Sequence, residues 1–185
     1  MFIHPLNSKT KISNLTEECI QPNAVDLKIG KVFAPSIDTK MELEPLIGVN
    51  KTGHRSFYEL FPDFRINNPY NSDKAAGIPN KADQALVYTI LPNSFVQFET
   101  QHEVEMGEGE IGWLVARSSL IRNGLIVHSG IYDAGFKGVV GGVIHNPTSQ
   151  YAFIEANARI AQFLVAQSES IKKYDGQYQN KGVIK

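Results

Sequence analysis

Apolar residues along the chain come in short runs: "AVDLKI" (24–29), "ALVYTIL" (85–91), "SFVQF" (94–98), "IGWLVA" (111–116), "GLIVH" (124–128), "GVVGGVI" (138–144), "YAFIEA" (151–156) and "RIAQFLVA" (159–166). Most are rich in β-branched and aromatic residues and are bounded by Gly, Pro, Asn or Ser, which predicts strands. Their close spacing predicts a mainly β domain, a barrel or sandwich. Helical signals are few. "SLIRNG" predicts a turn or two ended by Gly124, and "SNLTEECI" a short helix capped by Ser13.

The pattern weakens between residues 36 and 90, a mixed-charge stretch with several Pro, Gly and Asn and one short helix expected near "SFYELF". An excursion of that length is unusual in a compact domain; it fits a surface insertion, a subunit contact or a lid. The remainder predicts one domain over 1–185, with a polar C-terminal tail over about 168–185.

Composition narrows the function classes. Of the 185 residues, 42% are hydrophobic and 20% charged, so the chain is globular rather than disordered. A formal net charge of −1 removes the broad attraction on which nonspecific nucleic-acid and membrane-surface binding rests. Cys19 is the only cysteine, so neither an internal disulfide nor a thiolate zinc site is available. No apolar run nears the ~20 residues of a membrane span, and the opening residues lack leader features. A cytoplasmic protein is the expectation.

Candidate chemistry lies in two places. "ARSSL" puts Arg117, Ser118 and Ser119 at a strand-to-helix junction, where guanidinium and backbone N–H groups can converge on phosphate oxygens. The plainer alternative is that Ser118 caps a short helix and Arg117 pairs with a carboxylate. Asp133 sits on a turn between Gly130 and Gly135, placed to deprotonate a water or to serve only as a turn former. The five histidines show no metal-ligand spacing, and acidic "EVEMGEGE" reads as a solvated hairpin end.

In order along the chain, "QPNAVDLKIG", "ARSSLIRNGLIVH", "DAGFKG", "RIAQFLV" and "KKYDGQYQ" resemble the motifs of the trimeric dUTPase and dCTP deaminase superfamily. The resemblance implies a distorted β-barrel or jelly-roll subunit with a few short helices, a homotrimer with nucleotide sites between subunits, and Mg²⁺ on the triphosphate of a pyrimidine deoxynucleotide. It makes Asp133 the water-activating base and gives substrate contacts to Arg117, Ser118, Ser119, Arg122, His128, Phe136, Gln162, Lys173 and Gln177. Phe136 would pack on the deoxyribose or belong to the core. Asp26 would reach Mg²⁺ indirectly or serve as a pairing partner. Lys173 and Gln177 would act from a tail that closes as a lid or stays disordered.

One departure decides between chemistries. Where deaminases of this family carry a proton-shuttling glutamate, "DAGFKGVVGGVIHN" aligned without gaps places Val143. A hydrocarbon cannot move protons at the cytosine ring, and His145, two residues on and so on the same strand face, lies one step nearer the strand end and does not easily replace it. Hydrolysis of dUTP, or of a related pyrimidine deoxynucleoside triphosphate, to the monophosphate and pyrophosphate is therefore expected. The alternatives are dCTP deamination and a non-catalytic nucleotide-binding trimer. The loop "HSGIY" is about two residues shorter than the family pattern, and Gly141 stands where larger residues are usual, which suggests room for a 5-substituted pyrimidine.

Overall fold

The computed structural model describes residues 1–35, 57–64 and 86–180. Thirteen strands and one short helix follow in chain order: β1 (Phe2–Ile3), β2 (Lys11–Ile12), β3 (Val25–Pro35), β4 (Phe57–Leu60), β5 (Asp63–Phe64), β6 (Leu86–Ile90), β7 (Ser94–Glu105), β8 (Glu110–Ala116), α1 (Ser118–Arg122), β9 (Ile126–His128), β10 (Ile131–Tyr132), β11 (Lys137–Asn146), β12 (Ala152–Glu155) and β13 (Arg159–Gln167). Every apolar run read from the pattern is a strand. Among the described residues, no helix is long and apolar enough to cross a membrane.

Ten strands form one sheet, ordered β10-β8-β13-β3-β7-β11-β9, with β1, β2 and β4 added at its sides; β12, β6 and β5 form a second. The two edge strands of the large sheet, β9 and β10, are only three residue steps apart in sequence, from His128 to Ile131, a reach of about 11 Å. The sheet must therefore curl until its edges meet. Where they meet, the Ser129 hydroxyl accepts from the Leu114 N–H at 3.1 Å, stitching the connection onto β8. Inside the curl lies a core of Val25, Leu27, Ile29, Phe98, Val140, Ile144, Phe163 and Val165, projected inward by strand alternation. The distorted-barrel expectation holds.

Three expectations are corrected. "SFYELF" contributes β4, not a helix: Phe57–Leu60 pairs antiparallel with the far end of β3, and short apolar runs do not by themselves distinguish the two states. "SNLTEECI" forms a single 3₁₀ turn at Glu17–Cys19; Ser13 does not cap it, and its hydroxyl accepts from the Glu103 N–H at 2.8 Å. The acidic hairpin end is only partly solvated. Glu110 is buried and accepts from the Lys9 N–H, the Thr10 N–H and the Thr10 hydroxyl at 2.7–2.9 Å, which pins the N-terminal segment to the barrel. Most of the expected 36–90 excursion lies outside the described residues, and the part inside them is strand except at residues 61–62.

Candidate active site

Asp26, Arg117, Arg159 and Gln162 converge where β3, β8 and β13 lie side by side. Asp26 is fully buried. Its Oδ2 pairs with Arg117 Nε at 3.0 Å and Arg159 Nη1 at 3.3 Å, while Oδ1 accepts from Gln162 Nε2 at 3.2 Å. Arg117 also donates through Nη1 to the Arg159 carbonyl at 3.0 Å. Two guanidiniums around one carboxylate leave the cluster one positive charge in excess, and Arg117 Nη2 has no partner among the described residues.

α1 begins directly after Arg117, as the sequence predicts, and ends at Asn123 before Gly124, whose φ of 74° suits glycine. Ser118 does not cap it; Arg117 occupies that position with extended backbone and no side-chain cap bond. Ser118, Ser119 and Arg122 are exposed, and the two hydroxyls have no hydrogen-bond partner among the described residues. One positive cluster, two open hydroxyls and an exposed arginine thus lie together at the end of β8, an arrangement able to receive an anion.

Asp133 lies at the other end of that strand. β10 pairs with β8 through Ile131↔Trp113 and Tyr132↔Gly112, so Asp133 continues past Gly112 and away from Arg117. The six residue steps from Ile111, in β8, to Arg117, just past its end, span about 20 Å. Asp133 opens a tight turn in which its carbonyl accepts from the Phe136 N–H at 3.0 Å and Gly135 takes φ 80°. Its exposed carboxylate has no partner among the described residues and lines a cavity of about 480 Å³ with Ile111 and residues 168–176.

The tail folds back over this turn. Tyr174 N–H donates to the Ala134 carbonyl at 2.8 Å, Gln179 Nε2 to the Gly135 carbonyl at 2.9 Å, and the Tyr174 ring stacks edge-on against Phe136 at 5.6 Å. Lys173 reaches Glu108 at 3.7 Å, and Gln177 is exposed. Phe136 takes the core role: it is 5% exposed and covered by Tyr132 and Tyr174, so a sugar could stack on it only after Tyr174 had moved.

His128 lies between the two ends, exposed at the tip of β9 and directly opposite Val143. The shortened 128–132 loop lies close on β11: a Cβ on Gly142 would meet the His128 carbonyl oxygen at 2.1 Å. Glycine at 142 is what lets that loop approach. One chain therefore brings Arg117, Ser118, Ser119, Arg122, Gln162 and Asp26 together, gathers Asp133, Phe136 and Lys173 elsewhere, and does not join the two groups. Sequence reasoning missed Arg159, whose signal was a second basic residue three positions before Gln162, and Tyr132, masked by its neighbour Asp133.

The dCTP deaminase-like family model matches residues 3–168. The chain belongs to this family. It is 28% identical over 186 residues to the deoxyuridine 5′-triphosphate nucleotidohydrolase of Methanocaldococcus jannaschii, covering 98% of this chain and 100% of that protein. It is 31% identical over 171 residues to a dCTP deaminase of Pyrobaculum aerophilum, covering 92% and 83%. Among solved structures it resembles the native EIAV dUTPase with a TM-score of 0.42 and 20% identity, over 50% of this chain and 82% of that one. Family members similar to this dCTP deaminase-like chain thus carry two different activities in their names, and the choice between them falls to its own residues.

Proposed function

We propose that the protein is a diphosphatase that cleaves a pyrimidine deoxynucleoside triphosphate, dUTP foremost, to the monophosphate and pyrophosphate. The observation that carries the reading is the pairing of an uncommitted Asp133 carboxylate on a rigid turn with a hydrocarbon, Val143, in place of the deaminase glutamate. Asp133 accepts a proton from water, the water oxygen attacks the α-phosphorus, and the bond from that phosphorus to the bridging oxygen breaks as pyrophosphate departs. Arg117, Ser118, Ser119, Arg122 and Gln162 hold phosphate oxygens, with Asp26 and Arg159 fixing the Arg117 guanidinium. Lys173 and Gln177 add phosphate contacts from the tail, and His128 faces the base.

No group of three or more His, Cys, Asp or Glu able to hold a metal occurs among the described residues, and both Asp26 oxygens are engaged. That donor set fits Mg²⁺ arriving as the triphosphate chelate, held by phosphate oxygens and water, and neutralising charge there.

The separation along β8 supports a site built from two chains, the Arg117 end of one against the Asp133 end of another, in a homotrimer. Purified protein supplied with Mg²⁺ and dUTP, dCTP or 5-substituted analogues should release pyrophosphate and no ammonia. Asp133→Asn should lower kcat by about 10²–10⁴ while sparing binding. Mixed oligomers of Asp133→Asn and Arg117→Gln chains should regain activity, since some sites then draw both intact groups. Ammonia release, or mixtures as inactive as their parents, would overturn the reading.

A further inference from the structure

Tyr132 immediately precedes Asp133. Its hydroxyl donates to the Gly141 carbonyl at 2.7 Å and accepts from the Gly141 N–H at 2.9 Å, so one phenol serves both main-chain groups of one residue. The sheet explains why these groups are open. β9 pairs with β11 only at Val143–His145, and Gly141 lies past its end, so the phenol stands where the next strand residue would be. The register between β11 and β7 also shifts between Val139 and Gly141, a point at which a strand is weakly specified.

The ring itself is held, 5.2 Å from Phe136 and 5.8 Å from Phe163. Burial pushes its hydroxyl up to about 12, so at neutral pH it keeps its proton and remains both donor and acceptor.

We propose that Tyr132 is a positioning residue: its hydroxyl ties the turn bearing the Asp133 carboxylate to β11 at Gly141, two residues from Val143, and so fixes the spacing between the general base and the strand that faces the nucleotide base. The inference rests on the hydrolase reading above. Without the hydroxyl the ring still packs, but the turn can slide along β11, and displacements of about 1 Å at a reacting group cost on the order of 10²-fold in rate.

Tyr132→Phe should lower kcat about 10–100-fold with KM within about threefold. Tyr88→Phe is the matched control, because the Tyr88 hydroxyl donates to the Gly30 carbonyl at 2.7 Å on a strand away from Asp133; it should lose similar stability and keep its kcat. Unchanged kcat in Tyr132→Phe, or equal losses in both variants, overturns the inference. An inactive wild type refutes the hydrolase reading instead. A second measurement needs no variant: in the wild type the Gly141 amide proton should exchange as slowly as the ladder-paired amides of β11, and rapid exchange there overturns the clamp.

Discussion

Asp26→Asn isolates what the buried carboxylate does for the two arginines. The substitution keeps shape and retains an oxygen for Arg117 and Arg159, and Gln162 can reverse its amide to meet the new NH₂, so the change removes charge with little loss of hydrogen bonding. Leaving a fully buried charge without its partner costs about 3–5 kcal/mol. Here the uncompensated charges are arginines whose side chains are 28% and 30% exposed, and water takes up part of the loss. A destabilisation of about 2 kcal/mol follows, or roughly 4–8 °C in Tm for a chain of this size. Urea unfolding at fixed chain concentration should show a lower midpoint with an unchanged slope. Adding Arg117→Gln to Asp26→Asn should cost less than the sum of the two single changes, since it removes one of the two repelling cations. A loss below about 0.5 kcal/mol, or strict additivity of the pair, would refute this account of the cluster.

Two further predictions concern stability. His102 is fully buried, its Nδ1–H donating to the Ser13 carbonyl at 2.8 Å and its Nε2 accepting from the Lys28 N–H at 3.1 Å, and burial lowers its pKa. The unfolded chain therefore binds the proton first, so stability falls as pH drops below about 6.5, by up to ~1.4 kcal/mol per unit. Urea midpoints at pH 7.5 and 5 should show wild type losing its advantage over His102→Gln, and parallel profiles would count against it. Gly142→Ala forces a Cβ onto the His128 backbone and should cost about 1–3 kcal/mol, whereas Gly130→Ala, with open space at its Cβ position, should stay within about 0.5 kcal/mol; equal thermal shifts would contradict the packing described.

The fold was legible because each strand carries its own signal. "RIAQFLVA" and "GVVGGVI" need no partner to be read as buried strands, and Gly124 ends α1 by its left-handed backbone. Phe57–Leu60 was not legible as β4, because four residues of mixed polarity acquire strand character only from pairing with β3. Glu110 was misread for a related reason: in sequence it is one acidic residue among several, and its burial depends on Thr10, one hundred positions away. The chemistry-bearing residue types were visible one by one, but Arg159 and Tyr132 were not. Each acts through a partner, Asp26 or Gly141, that only the closed sheet brings to it.

The same closure explains why residues close in sequence form two groups that lie apart in the chain. Residues 117–133 run from Arg117 through α1 and β9, cross the seam at Ser129, and return along β10 against β8. The path leaves at one end of β8 and comes back at the other, so proximity in sequence becomes a separation of about 20 Å in space. Neither group is adjustable within the chain. Arg117 is locked by Asp26, and Asp133 by its turn and by Tyr132. On the proposed hydrolase reading, a triphosphate would meet both the cationic cluster and the carboxylate where two copies of the barrel lie with opposite ends of β8 together, and turnover would then depend on assembly. Dilution below the dissociation constant of the oligomer should therefore abolish hydrolysis in a protein that remains folded.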